Sequence, residues 1–338
     1  MAPGARQIDS LRRLGISMEV VDMQGTSKLK YLYRMPQVRR LLGEVDLVHA
    51  HFGFCGWLAY LGGKLKRNKP AFVVSFMGSD LLGTPVNAQG NLQWFSKRMV
   101  QANRRLAWKP DAVIVKSQQM ADVIAPTPCT VIPNGVDVDR FRPIDRGLAR
   151  KQLGIPTEKK VVLFPGNPAN PRKGHPLAQA AVMEASRLRG EEIDLIPLWN
   201  VDPDDAPLYM NACDLMVMTS LLEGSPNVVK EAMACDAKVV GVAVGDVEEL
   251  IKDVQGCELC DRSPRAVGQG IANALQSTQV RSREAIMEKE LDLESVAHRI
   301  VRVYERAIGR PIDLSGLRCD TQENISAHSA SVPVNQLA

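Results

Sequence analysis

Short apolar runs rich in Val and Ile, several of them continuous rather than apolar at every second position, recur along this chain and constrain its fold more than any other feature. A strand with one face in water alternates apolar and polar residues, whereas a strand covered on both faces does not. Such runs stand at Leu47 to Ala50, Ala71 to Phe76, Ala112 to Lys116 and Cys129 to Ile132, with Met18 to Val21 a further candidate ahead of them. A second set follows at Val161 to Phe164, Ile193 to Leu198, Leu215 to Thr219 and Val239 to Val242. Amphipathic stretches separate the runs, so the pattern predicts an α/β fold built on parallel sheets.

The two sets are divided by FRPIDRGLARKQLGIPTEKK, where a proline, a charged helical piece and a Gly-Ile-Pro turn interrupt the apolar pattern. At 338 residues the chain exceeds what one core usually serves. We therefore expect a first domain over residues 1–145 and a second over 146–292. Leu293 to Ile308 predicts a closing helix, 293–309 with its end, because Val296, Ile300, Val303 and Tyr304 share one side at helical spacing. Residues 310–338 turn polar and lose periodicity, the pattern of a disordered tail.

Lys and Arg outnumber Asp and Glu by 42 to 38, too small an excess for the dense basic face of a nucleic-acid binder, although it permits peripheral membrane contact. The N-terminal stretch MAPGARQIDSLRRLG has no apolar signal region and no run reaches a membrane-spanning length, so the expectation is a cytoplasmic protein, with the inner membrane face as a variant. The seven cysteines are odd in number and scattered. Cys257 and Cys260 form a lone CxxC without a second pair or nearby histidines, which reads as ordinary thiols, and no metal site is expected.

The most informative segment is TSLLEGSPNVVKEAMAC, residues 219–235, where an apolar strand ends in an acid, a glycine and a proline just before a helix. Pro226 suits the first helical turn, having no N–H to leave unpaired, and the amides of Asn227, Val228 and Val229 would face the crevice and hold an anion there. Glu223 lies on the loop and Glu231 inside the helix, so each can meet a different part of one ligand. A carboxylate accepting two vicinal hydroxyls is the usual way to hold a ribose. The alternative, on spacing alone, is one capping acid and one solvent-facing acid.

EGSPNVVKEAMAC resembles the E-x7-E signature of retaining GT-B glycosyltransferases, in particular glycosyltransferase family four. The resemblance extends to VIPNGVDVDRF (131–141), FPGNPANPRKG (164–174), ACDLMVMTS (212–220) and VGDVEELI (244–251). It implies a GT-B fold: two Rossmann-like domains with parallel sheets facing a central cleft. It further implies that Glu223 contacts the donor sugar, Glu231 the nucleotide ribose, and the loop amides with Gly224 and Ser225 the diphosphate. Gly166, Asn167, Arg172 and Lys173 would form the turn that sets cations against that diphosphate, where negative charge grows as the glycosidic bond lengthens. The substrate would be a UDP- or GDP-sugar with no further cofactor, and the acceptor a glycan or lipid-linked glycan of surface polysaccharide or glycolipid synthesis.

Asn167 stands where the family usually has arginine. In the first domain, LVHAHFGFCGW (47–57) resembles the family's HAH-type motif and sets His49 and His51 at a strand end, with His51 a catalytic candidate beside Glu223 and Lys173. VVSFMGSDLLG (73–83) carries Met77 where many members have histidine, and a thioether cannot donate a proton. Asp80 reads as a cap of the following turn. Family members begin with a strand and a Gly-rich loop ahead of the helix that QIDSLRRLGI resembles, so the likeness enters partway, with Gly4 at most a remnant of that loop. Two other functions share the pattern: a nucleotide-sugar 2-epimerase, which turns over without an acceptor, and a non-catalytic sugar-nucleotide or protein binding module, which Met77 and Asn167 favour.

Overall fold

The computed structural model of the protein describes residues 3–23, 30–64, 69–87 and 89–314. The tail from residue 315, including Cys319, lies outside them. Strands β1 (Leu47–His51), β2 (Ala71–Ser75), β3 (Ala112–Val115) and β4 (Thr130–Val131) form one sheet in that order. Strands β5 (Lys160–Phe164), β6 (Ile193–Pro197), β7 (Leu215–Met218), β8 (Val239–Val242) and β9 (Glu258–Cys260) form a second sheet in the order β6-β5-β7-β8-β9. Every pairing in both is parallel. The unbroken apolar runs follow from double coverage: Val113 to Val115, Val161 to Phe164 and Leu215 to Met218 are all buried, at most 3% exposed.

Two expectations are corrected. Met18 to Val21 is not a strand: residues 16–23 have neither helix nor ladder. A strand needs a neighbour, and among the described residues none pairs with it; Ile16 and Met18 instead pack beside Leu11 and the closing helix, and Val21 and Met23 against Val38, Leu42 and Leu58. Conversely β9, whose Glu-Leu-Cys sequence lacks a strand pattern, is drawn into the sheet edge by its register with Val240, Gly241 and Val242. It carries Cys260 of the CxxC.

In the second sheet the chain runs outward from β5 to β6, then returns to the other side of β5 with β7. That reversal makes a topological switch point, and a parallel sheet opens a crevice beyond its strand ends at such a point. The turns after β5 and β7, which carry the FPGNPANPRKG and EGSPN segments, both leave from it.

The helix Leu293–Ile308 is capped by Asp292, whose side chain accepts the Ser295 amide at 2.8 Å, and stops at Gly309 in the left-handed region. Its buried face, Val296, Ile300, Val301, Val303 and Tyr304, packs on Val73 and Ile114 of the first sheet, on Ile132 just past β4, and on Leu11. The chain passes between the sheets twice, side by side: Val136 N–H donates to Leu291 O at 2.8 Å, and Leu293 N–H to Val136 O at 3.1 Å. The VIPNGVDVDRF segment forms this crossing, and Arg283 fastens it by donating to the carbonyls of Val138 and Phe141.

Candidate active site

The two sheets face each other across a cleft whose cavity is about 510 Å³. From the second domain, Arg172, Lys173, Glu223 to Val228 and Glu231 line it; from the first come Arg6, Phe52, Met77 to Ser79, Leu82 and Asn134. A larger opening of about 800 Å³ lies against β4 and the closing helix, lined by Arg299, Arg302, Arg306 and Arg310, and contains neither acid of the E-x7-E pair.

The turn after β5 is built to hold its cations. Gly166 has a φ of 135°, and a Cβ there would meet the aliphatic stem of Lys173 at 3.2 Å, so the absent side chain lets the lysine lie across it. Asn167 accepts the Ala169 amide through its own side chain at 2.9 Å, a local turn bond. Neither Gly166 nor Asn167 is among the residues lining the cavity. Leu221 N–H donates to Arg172 O at 2.7 Å, and Thr219 Oγ1 donates to Lys173 O, which ties this turn to the loop after β7. Lys173 Nζ then donates to Glu223 Oε1 at 2.8 Å, with Arg172 3.6 Å from the other oxygen. The spacing in sequence did not show that the acid and both cations form one cluster.

The helix Asn227–Ala234 starts one residue later than expected: Pro226 caps it with extended backbone, ψ 109°, rather than occupying its first turn. The Pro226 carbonyl takes the Val229 amide at 3.2 Å, and Val229 is fully buried and does not line the cavity. Asn227 and Val228 do, and the first amides of a helix have no partner within it. Of the three amides expected to face the crevice, only those of Asn227 and Val228 belong to cavity-lining residues. Ser225 is also committed elsewhere: its Oγ donates to Asp246 Oδ2 and receives Lys230 Nζ, each at 2.5 Å.

Lys230 and Asp246, neither singled out by sequence reasoning, anchor the loop from below. Lys230 is fully buried; its signal was a lysine on an otherwise apolar helix face. Burial pushes the Asp246 carboxyl up, opposed by Lys230 and Ser225. Gly245, φ 62°, brings its backbone so close that a Cβ would stand 2.9 Å from the carbonyls of Glu223 and Gly224, which accounts for the VGD segment. Arg262, also missed, donates to the carbonyls of Thr219 and Ser220. In the ACDLMVMTS segment Asp214 accepts Val161 N–H, Arg150 and Arg146, fixing the start of β5.

From the first domain, Asp80 accepts the amides of Met77 and Gly78 at 3.0 and 2.9 Å, and of Gly53 at 3.2 Å. This holds the Met77–Gly78 loop against Gly224, where a Cβ would lie 2.9 Å from both Met77 O and Gly78 Cα. Asn134 Nδ2 donates to Asn227 Oδ1 at 3.1 Å, and Arg6 donates to Glu231 Oε1 at 2.8 Å. His51 is not among the cavity-lining residues. Its ring lies 4.5 Å from that of His49, tilted at 51°, with the Gln7 amide nitrogen 3.3 Å from its Nε2. Burial and the Lys116 charge hold it down to about 4, so it is a neutral imidazole at neutral pH. His49 is bonded to Tyr304 and Ser75 within the core, at 2.7 Å each. No group of three or more His, Cys, Asp or Glu among the described residues is placed to hold a metal, and the six described cysteines are free.

Two Rossmann-like domains facing across a cleft, with a helix returning to the first, define the GT-B fold. Solved structures share it. A sucrose-phosphate synthase from Thermosynechococcus elongatus superposes with a TM-score of 0.66 at 18% identity, covering 87% of this chain and 83% of that one. The Anabaena protein HepE, solved in complex with UDP and glucose, gives 0.64 at 20%, covering 88% of each. The description "Glycosyltransferase Family 4" matches residues 6–140, and "Glycosyl transferases group 1" matches 176–277. Both domains therefore match glycosyltransferase families, the first of them family four. The chain's relatives include a D-inositol 3-phosphate glycosyltransferase of Mycobacterium ulcerans, 25% identical over 79% of this chain. Another is the putative teichuronic acid biosynthesis glycosyltransferase TuaC of Bacillus subtilis, 26% identical over 67%. The chain spans 65% of the first relative's length and 60% of the second's. No helix among the described residues is long and apolar enough to cross a membrane.

Proposed function

We propose that the chain is a retaining glycosyltransferase that moves a hexosyl group from a UDP- or GDP-sugar to a glycan or lipid-linked acceptor in surface polysaccharide or glycolipid synthesis. The observation that carries this reading is the cluster of Glu223, Arg172 and Lys173 beside the start of the Asn227–Ala234 helix, within one cavity that also holds Glu231. The UDP and glucose in the HepE complex support the donor class, and the teichuronic acid in the name of the Bacillus relative supports a surface-polysaccharide acceptor, whereas the Mycobacterium relative is named for inositol 3-phosphate.

In this reading the diphosphate lies at the helix start, on the amides of Asn227 and Val228. Arg172 and Lys173 neutralise the charge that grows on the leaving phosphate, work that needs no metal. Glu223 accepts hydroxyls of the donor sugar, and its ion pair with Lys173 fixes sugar and leaving group relative to each other. Glu223 and Glu231, the two carboxylates among the described residues that line the cavity, are given in this reading to sugar and ribose hydroxyls, so attack comes on the face the phosphate leaves, which retains the anomeric configuration. His51 stands behind the cavity wall, with its Nε2 3.3 Å from the Gln7 amide nitrogen, and this reading gives it no direct contact with the donor. The domain limits at 145 and 292 and the cytoplasmic setting belong to the same proposal.

A thermal-shift panel of UDP- and GDP-sugars tests it. A ligand at about a hundred times its Kd stabilises the folded state by about 2.7 kcal/mol. We expect one base to raise the melting temperature and Glu231→Ala to remove the rise. An equal shift in the variant would refute the ribose assignment, and no shift with any sugar nucleotide would refute the donor class.

A further inference from the structure

We infer that Arg6 is a positioning residue for nucleotide binding: from the first domain it fixes the Glu231 carboxylate, so that one oxygen is held by the guanidinium and the other is presented to the ribose hydroxyls. The inference rests on the nucleotide reading of the cleft given above. Arg6 belongs to the helix Pro3–Arg13, and its NH1 reaches 2.8 Å from Glu231 Oε1, across the cleft and 225 positions along the chain. Both side chains line the same cavity, 15% and 12% exposed, so the pair is screened far less than a surface one.

Arg6 is itself oriented. Its guanidinium stands over the Phe141 ring, 5.7 Å from the centroid, and Phe141 is buried at the domain crossing. A carboxylate has about four lone-pair sites, so one taken by Arg6 leaves Oε2 able to accept vicinal hydroxyls. Glu231 sits inside a helix with three rotatable bonds, and a fixed partner removes the rotamer freedom that ligand binding would otherwise have to quench. The other role for such an arginine is to touch phosphate directly. The geometry favours positioning: Arg172 and Lys173 already stand beside the helix start, whereas Arg6 is bonded to the acid one turn further on.

Two consequences follow. Ribose recognition by the second domain is completed by the first, so nucleotide affinity depends on the cleft being closed. Arg6 also has no value to a nucleotide without ribose hydroxyls.

The test is calorimetric titration of the full chain with UDP and GDP, and with the 2′,3′-dideoxy form of whichever binds, for wild type, Arg6→Ala, Arg6→Lys, Glu231→Ala and the double variant. We expect Arg6→Ala to weaken the ribonucleotide about tenfold, the scale of losing one charge-assisted hydrogen bond, and the dideoxy form by less than about twofold. Arg6→Lys recovers part of the loss, and Arg6→Ala adds nothing in the Glu231→Ala background. Equal weakening of both nucleotide forms, or no weakening, overturns the inference while leaving the nucleotide site standing. Wild type binding neither UDP nor GDP overturns both. Should Arg6→Ala melt early, Arg6→Gln carries the same comparison.

Discussion

Replacing Lys230 by methionine tests how the EGSPN loop is held. Lys230 and Asp246 side chains are 0% and 5% exposed, and the lysine reaches the acid both directly, at 3.5 Å, and through Ser225. Methionine keeps most of the stem volume, so the cavity left behind is small and the loss is electrostatic. Removing one partner of a buried ion pair costs about 3–5 kcal/mol, because the other charge stays buried alone. At the size of one such domain this lowers the melting temperature by on the order of 10 °C. The cost also depends on pH. Asp246 is pushed up by burial and pulled back by Lys230, so the variant raises it further. A carboxyl whose folded pKa lies above its unfolded one favours folding while protonated, and that contribution is lost as pH rises through the folded value. Lys230→Met should therefore sit nearest to wild type around pH 4 and fall furthest behind near neutrality. Adding Asp246→Asn should recover most of the loss and flatten its pH dependence. Melting curves of wild type, Lys230→Met and the double variant at pH 4.5 and 7.5 provide the measurement. A Lys230→Met melting temperature within about 2 °C of wild type at pH 7.5 would refute the reasoning. So would a double variant no more stable than the single one.

Two further outcomes are expected. Gly224→Ala places a methyl 2.9 Å from Met77 O and Gly78 Cα, so the domains must part slightly; sugar-nucleotide affinity should fall about tenfold with little change in melting temperature. Unchanged affinity in calorimetry would mean that this close approach plays no part in binding. His51 has a folded pKa of about 4 against 6.5, so the unfolded chain binds more protons between those values and stability falls as pH drops through that window, by about 3 kcal/mol in all. His51→Gln should lose less stability than wild type between pH 6.5 and 4, and parallel melting curves would sink this account.

Much of the fold was legible because double burial leaves a mark in sequence. Val161 to Phe164 and Leu215 to Met218 had to be apolar at every position to lie inside a parallel sheet, and the closing helix carried its packing face openly in Val296, Ile300, Val303 and Tyr304. The E-x7-E segment was legible for a similar reason: an acid, glycine and proline at a strand-to-helix junction limit what the backbone there can do.

What tertiary structure alone decided concerns partners far apart in the chain. Met18 to Val21 has the composition of a strand yet forms none, since a ladder requires a neighbour, and β9 became a strand by joining β8 without the pattern of one. The same holds at the site. Nothing near Glu231 in sequence names Arg6, 225 positions away, and nothing near Ser225 names Asp246, yet the first pair was fixed when two sheets closed on one cleft and the second when the turns after β7 and β8 met. Local pattern records which face of an element must be dry. Which charge meets which depends on how the elements dock, and that is set by the packing of the whole chain.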